Sequence, residues 1–285
     1  MGTLQSGHVQ QRNHTIHAGD ADSIQVLYCI AQPLSDCEID VPEVTAPGEL
    51  PSHEVHCQIQ QIEALNHDVS RVWLQLPAGK RVQWHAGQYM MLNLNGESFP
   101  FSIANHCDGR RLELHIRHGD DNSAAQDIMA HLTSASTVSA TLPAGMRFID
   151  SAPEQPVWFI CGSTGFAPVK AMVERLIALD FDHPVRLFWG ARTPEDLYLP
   201  TLPSQWKMAL KDFDFTTALS DIRHPDHAEG LVHEAALAAL NEPELPLFYL
   251  GGSPPMAWAV FDALVEEGVP AGNIHCDVFD YAPRE

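Results

Sequence analysis

The strongest constraint on the fold is a rhythm in the C-terminal half of the chain. An apolar run stops at glycine, a helix-spaced segment follows, and the pair recurs. Val157, Trp158, Phe159 and Ile160 lead into Gly162-Ser163-Thr164-Gly165. After Pro168, apolar residues return at Val169, Met172, Val173, Leu176 and Ile177, the i, i+3, i+4, i+7, i+8 spacing of one helix face. Residues 185–189 and 213–219 read as buried strands and 232–240 as a helix. Residues 247–250 end at Gly251-Gly252, a helix is expected over 256–267, and 274–279 reads as a closing strand. Strands alternating with helices predict a parallel sheet covered on both faces.

The N-terminal half has a different texture. From about His53 to Asp150, short β-like runs such as Val72-Trp73-Leu74-Gln75-Leu76 alternate with Gly, Asn and Pro turns. That spacing predicts a small antiparallel barrel, interrupted by one helix over 123–132. The fold class expected is therefore an antiparallel β-barrel followed by a parallel-sheet α/β domain, over 52–152 and 153–285, with residues 1–45 as a separate leading segment. A Pro- and Glu-containing linker joins that segment to the rest. A length of 285 residues suffices for two ordinary domains, each with its own core.

Composition narrows the partners. A formal charge of −21 argues against nucleic acid, whose phosphates are held by Lys and Arg. No run approaches the roughly 20 apolar residues of a membrane span. The polar start lacks the basic-then-apolar order of a secretory signal, so a cytoplasmic protein is expected. The six cysteines show no Cys-x-x-Cys pair and read as reduced thiols. His53 and His56 fall three apart on an apparent strand, hence on opposite faces, and His224 and His227 lie in a polar loop with no cysteine nearby. No metal site is expected from either pair.

In an open parallel sheet, ligands bind beyond the carboxyl ends of the strands. Three such ends here are marked by glycine. At Gly162-Ser163-Thr164-Gly165 the backbone can turn sharply and approach a phosphate, with a helix N-terminus behind it and Pro168 fixing its first turn. Gly190-Ala191-Arg192 follows the second strand, where Arg192 either meets a phosphate or pairs with Glu195 or Asp196. Gly251-Gly252-Ser253-Pro254-Pro255-Met256 follows another strand. Together the three ends point to a dinucleotide.

These motifs resemble the ferredoxin–NADP reductase family over residues 53–285, especially bacterial NAD(P)H:flavin reductases and oxygenase reductase components. Gly162 to Pro168 is similar to the family's pyridine-nucleotide motif, and Trp189 to Arg192 with Asp196-Leu197-Tyr198 to a second block. Gly252-Ser253-Pro254-Pro255-Met256 is similar to a third. Ala86-Gly87-Gln88-Tyr89 and Pro100-Phe101-Ser102-Ile103-Ala104 are similar to its flavin signature. The resemblance implies a flavin-binding barrel and a nicotinamide-binding domain. It places Phe101 against the flavin ring and Ser102 near its reactive nitrogen. His115, Ile116 and Arg117 then supply backbone contacts and a cation to the ribityl-phosphate chain, and Phe279 is the aromatic near the flavin. Gly162, Ser163, Thr164, Gly165, Pro168, Arg192, Gly252, Pro254 and Met256 hold the dinucleotide.

Three departures refine those expectations. Phe99 stands where the family places an arginine on the flavin phosphates. Losing one charge-assisted contact weakens binding by about 1.5–3 kcal/mol, so FAD or FMN is expected to be loosely held. Gly251 stands where many relatives have cysteine. Ser220-Asp221 stands where NADPH users place Ser-Arg, and a carboxylate repels a 2′-phosphate, so NADH is expected over NADPH.

Segments at Gly2-Thr3-Leu4, Ser6-Gly7-His8-Val9 and Leu27-Tyr28-Cys29 resemble the back half of a plant-type [2Fe–2S] ferredoxin, with Cys29 as its last ligand. One thiolate cannot hold a four-thiolate cluster, so no cluster is expected, and the segment reads as the remnant of a longer ferredoxin domain. The expected activity is electron transfer from NADH through flavin to free flavin or a protein acceptor. Two alternatives stand beside it: the truncated reductase component of an oxygenase or deoxysugar-type system that normally carries a cluster, and a degenerate nucleotide-binding subunit.

Overall fold

A computed structural model describes residues 2–12, 14–19, 25–27, 30–40, 50–240 and 244–284. The chain divides into two compact units, Met1–Pro51 and Ser52–Glu285. In the first, β1 (Gly2–Ser6) lies between β4 (Gln25–Val26) and β6 (Glu38–Asp40), and β2 (His8–Gln11) lies between β3 (His14–His17) and β5 (Ala31–Pro33). Both three-stranded sheets are antiparallel, and Leu4, Val9, Ile16 and Val26 form the buried cluster between them. Cys29, the expected cluster ligand, lies outside the described residues.

The second unit opens with six antiparallel strands: β7 (His53–Ala64), β8 (Val69–Gln75), β9 (Tyr89–Leu94), β10 (Glu97–Ser102), β11 (Arg111–Arg117) and β12 (Thr137–Ala144). Their order is β10-β9-β12-β7-β8-β11, so β10 and β11 are the edges. The chain leaving β10 folds onto β11, where the Ala104 N–H donates to the Glu113 carbonyl at 2.7 Å, and the sheet curls toward closure. Period-two alternation sends Val72, Leu74, Leu112, Leu114 and Ile116 inward. Helix α1 (Ser123–Ser134) is capped by the Asn122 side chain, which accepts from the Ala125 N–H at 3.1 Å, and it lays Ala125, Ile128, Met129 and Leu132 on the same core.

Six parallel strands follow: β13 (Val157–Gly162), β14 (Val185–Ala191), β15 (Phe213–Leu219), β16 (Ala228–Glu229), β17 (Leu247–Gly251) and β18 (Ile274–His275). Their order is β16-β15-β14-β13-β17-β18, so the chain steps outward from β13 and then returns to its other side, leaving a switch point between β13 and β17. Phe159 and Cys161 face one layer with α2 (Phe166–Ala178) and α3 (Leu202–Ala209), joined there by Val69, Ala86 and Ile149 of the barrel. Trp158 and Ile160 face the other layer with α4 (Val232–Ala239) and α5 (Pro254–Glu266). Barrel and parallel sheet thus share a core. The expected closing strand over 274–279 stops at His275. The backbone coils instead into a single turn, α6 (Val278–Tyr281), with the Asp280 N–H donating to the Asp277 carbonyl at 3.0 Å.

Candidate active site

Beyond the carboxyl ends of β13 and β17 lies a cleft of about 530 Å³ whose far wall is the barrel. Tyr89, Phe99, Pro100, Phe101, Ser102, His115 and Arg117 come to it from the barrel, and turns 162–165 and 250–254 from the sheet. A second groove of about 360 Å³ continues past Gly190, Arg192, Ser220, Val232 and Met256.

The sheet-side turns are set by close packing. A Cβ on Gly165 would collide with the backbone of Gly251 and Gly252, and a Cβ on Gly251 with the Gly165 carbonyl. The turns interlock only because both positions are glycine. Ser163 takes φ +49°, a conformation few non-glycine residues adopt, and such strain persists where neighbours over-determine it. The neighbour here is Trp189, whose Nε1–H donates to the Ser163 carbonyl at 3.3 Å. The Trp189 ring stacks on Phe166 at 3.9 Å and 7°. On the barrel side Gly87 is at φ +111° and a Cβ there would meet the Arg147 carbonyl, so the chain can bend into Gln88 and Tyr89. Gln88 is buried and donates to the Gly145 carbonyl at 2.9 Å, which steadies the strand end carrying Tyr89.

Behind the cleft wall runs a buried polar chain between the two layers. Tyr198 Oη and His115 Nδ1 are 2.9 Å apart, His115 Nε2 and Glu113 Oε1 3.0 Å, and Lys170 Nζ on α2 donates to Glu113 Oε2 at 2.8 Å and to the Ala104 carbonyl at 3.0 Å. Burial lifts the Glu113 carboxyl, but His115 and Lys170 outweigh it and hold it below the usual carboxylate range. Burial holds His115 below its ordinary value despite Glu113.

Asp277, just past β18, also lines the cleft, and its Oδ1 is shielded from water without a hydrogen bond. Burial, reinforced by Asp280, pushes this carboxyl up to about 7. Cys276 beside it is pushed up to about 12 by burial. An unsatisfied buried acceptor facing a cleft is a place where a bound group supplies the missing donor.

The structure gathers most of the residues expected from sequence. Pro100, Phe101, Ser102, His115, Arg117, Gly162, Ser163, Thr164, Gly165, Pro168, Gly252 and Pro254 border the 530 Å³ cleft, and Arg192 and Met256 border the groove. Ile103 and Ile116 point into the barrel core instead. Phe279 is not among the cleft residues: its ring packs on Trp258 at 4.5 Å and Phe261 at 5.2 Å, because the turn of α6 carries it away, and Tyr281 lines the cleft. Arg192 pairs with Asp196 at 3.1 Å, the second of its two possible roles. Phe99 packs against the barrel core at the cleft edge. Among the described residues the cluster closest to a cation site is His67, Asp68 and Asp196, and both carboxylates already pair with Arg117 and Arg192. Glu113, Lys170 and Asp277 were not singled out in the sequence, because a charged residue in a short strand or helix reads as solvent-facing.

Comparison with known proteins agrees with this geometry. Residues 159–262 match the oxidoreductase NAD-binding domain family. The chain is 30% identical over 267 residues to the terephthalate 1,2-dioxygenase reductase component 1 of Comamonas sp, covering 92% of this chain and 79% of the relative. It is 29% identical to the CDP-6-deoxy-L-threo-D-glycero-4-hexulose-3-dehydrase reductase of Yersinia pestis, covering 97% and 84%. The Amycolatopsis cytochrome P450 reductase GcoB superposes with a TM-score of 0.75 at 25% identity, over 97% of this chain and 85% of that one. Among the described residues no helix is long and apolar enough to cross a membrane. A curled antiparallel sheet joined to a six-stranded parallel sheet, together with these relatives, shows that the chain belongs to the ferredoxin reductase-type family of oxidoreductases, the family of oxygenase reductase components.

Proposed function

We propose that this enzyme draws electrons from NADH into a flavin, FAD or FMN, held in the 530 Å³ cleft, and releases them to free flavin or to a protein acceptor. The observation that carries this reading is that the barrel residues Phe101 and Ser102 and the turn 162–165 face one continuous cleft. Donor and acceptor rings brought together there need little beyond alignment, because direct transfer between nicotinamide and flavin is the cofactors' own chemistry. In this reading the barrel over 52–152 takes the flavin and residues 153–285 the dinucleotide. Phe101 and Tyr89 offer aromatic surface to a flat ring, and Ser102 offers a hydroxyl to its polar edge. The backbone N–H groups around Ser163 and Thr164, at the start of α2, suit a pyrophosphate.

The groove end supports NADH. Ser220 donates to Asp221 at 2.6 Å, and the arginines beside that turn are already paired, Arg192 of the groove with Asp196 at 3.1 Å and Arg223 with Glu229 at 2.6 Å. The N-terminal unit holds two cysteines, Cys29 and Cys37, where a [2Fe–2S] centre takes four ligands, so we read it as cluster-free in this chain. The oxygenase reductases among the relatives make an oxygenase-type protein the favoured acceptor class.

The deciding experiment is anaerobic: purified protein, added FAD, then NADH or NADPH, with the flavin absorption band followed in time. NADH should bleach the band, and NADPH should do so at least about tenfold less efficiently, the consequence of roughly 1.4 kcal/mol lost at the 2′-phosphate. A protein that binds both ligands yet never bleaches the band is a binding module, and the enzyme reading ends there.

A further inference from the structure

Arg117 stands where three cavities meet: the 530 Å³ cleft, the 360 Å³ groove, and a third of about 610 Å³ over His118, Gly119 and Asp120. One edge of its guanidinium is anchored, with Nε donating to Asp68 Oδ2 at 2.8 Å. The other edge is filled by Asp121, with Nη2 to Oδ1 at 2.9 Å and Nη1 to Oδ2 at 3.2 Å. That two-pronged contact is the geometry in which arginine holds a phosphate. The two carboxylates differ in freedom: the Asp68 side chain is 9% exposed and Asp121 is 66% exposed. Asp121 lies on the turn from β11 into α1, one residue before the cap Asn122; it borders the groove and the third cavity, while Asn122, Ala124 and Ala125 open to the 530 Å³ cleft. A cation beside the positive end of a twelve-residue helix is an anion site, and here its outward face already carries an anion.

We propose that Asp121 is a built-in competitor for phosphate at the Arg117 fork and sets how tightly a phosphate-bearing ligand is held. The inference rests on the flavin reading of the cleft and extends it. Because Arg117 borders both cleft and groove, the phosphate is that of the flavin side chain or that of the dinucleotide. Asp121 has only to rotate into solvent to vacate the fork, but its charge stays near the incoming anion and opposes it. Phe99 brings no compensating cation to this cleft. The outcome is a flavin that exchanges rather than one that stays bound, with the ring contacts carrying most of the affinity.

The test compares the parent protein with Asp121→Asn and Asp121→Ala. Dissociation constants for riboflavin, FMN and FAD are read from flavin fluorescence, and that for NAD+ by calorimetry. At low salt, FMN and FAD should tighten by about three- to tenfold in both variants while riboflavin, which has no phosphate, stays unchanged. At about 0.5 M salt the gain should largely disappear. Tightening of NAD+ with FMN unmoved assigns the fork to the dinucleotide. Riboflavin tightening as much as FMN, or no tightening of any phosphate ligand, overturns the competitor role. Absence of all flavin binding in parent and variants overturns the flavin reading instead, and the NAD+ arm alone then decides the fate of Asp121.

Discussion

At the scale of single residues, Asp277 carries a pH dependence whose sign can be worked out. An unfolded aspartate titrates near 3.9, whereas burial in the folded chain moves Asp277 to about 7. Between those values the folded state binds the extra proton. Its contribution is therefore present in acid and lost as pH rises from about 4 through about 7. Asp277→Asn keeps the shape and removes the titration. It should raise the melting temperature at pH 8, by an amount corresponding to at most about 4 kcal/mol, and leave it near the parent's at pH 4. The same difference at both pH values would mean that charge burial is not the cause. The glycine turns, Phe101 and Ser102 were legible in the sequence because turns and signatures are local. Asp277 was not, since its burial depends on Gly145 and Arg147, more than a hundred residues away.

At the scale of elements, β11 is the informative strand. Leu112, Leu114 and Ile116 fill the barrel, while Glu113 and His115 on its opposite face are also buried, against Lys170 of α2 and Tyr198. Alternation in the sequence predicts one dry face and one wet face. The second face is dry because the parallel sheet's helix layer covers it, which no local pattern records. Lys170→Met should therefore destabilise the protein by about 3 kcal/mol, by leaving the Glu113 carboxylate buried and half paired. Adding Glu113→Gln to that variant should recover part of the loss. Urea denaturation measures both, and a single variant within about 0.5 kcal/mol of the parent would remove the network from the stability argument. Other elements separate along the same line. The alternation from β13 to α5 was readable from period and glycine. Helix α3, of eight residues, was too short to show a stripe, and the segment after His275 looked like strand because Val278 and Phe279 are good strand formers.

At the scale of the whole molecule, a charge of −21 means that anionic ligands are drawn in by local features, the α2 start and a few arginines, and not by the overall field. The small N-terminal unit buries four apolar residues among those described, and of the four thiolates that a [2Fe–2S] centre requires only Cys29 has a counterpart in its sequence. Purified protein should contain no stoichiometric iron or acid-labile sulfide; about two irons per chain would restore the cluster reading. The interlocked turns at Gly165 and Gly251 have a mechanical consequence. With no gap between them, neither can swing aside alone, so the mouth of the parallel sheet behaves as a rigid jaw. Any breathing that widens the cleft then falls to the opposing wall, to Tyr89 and the first turn of α1 on the barrel's side.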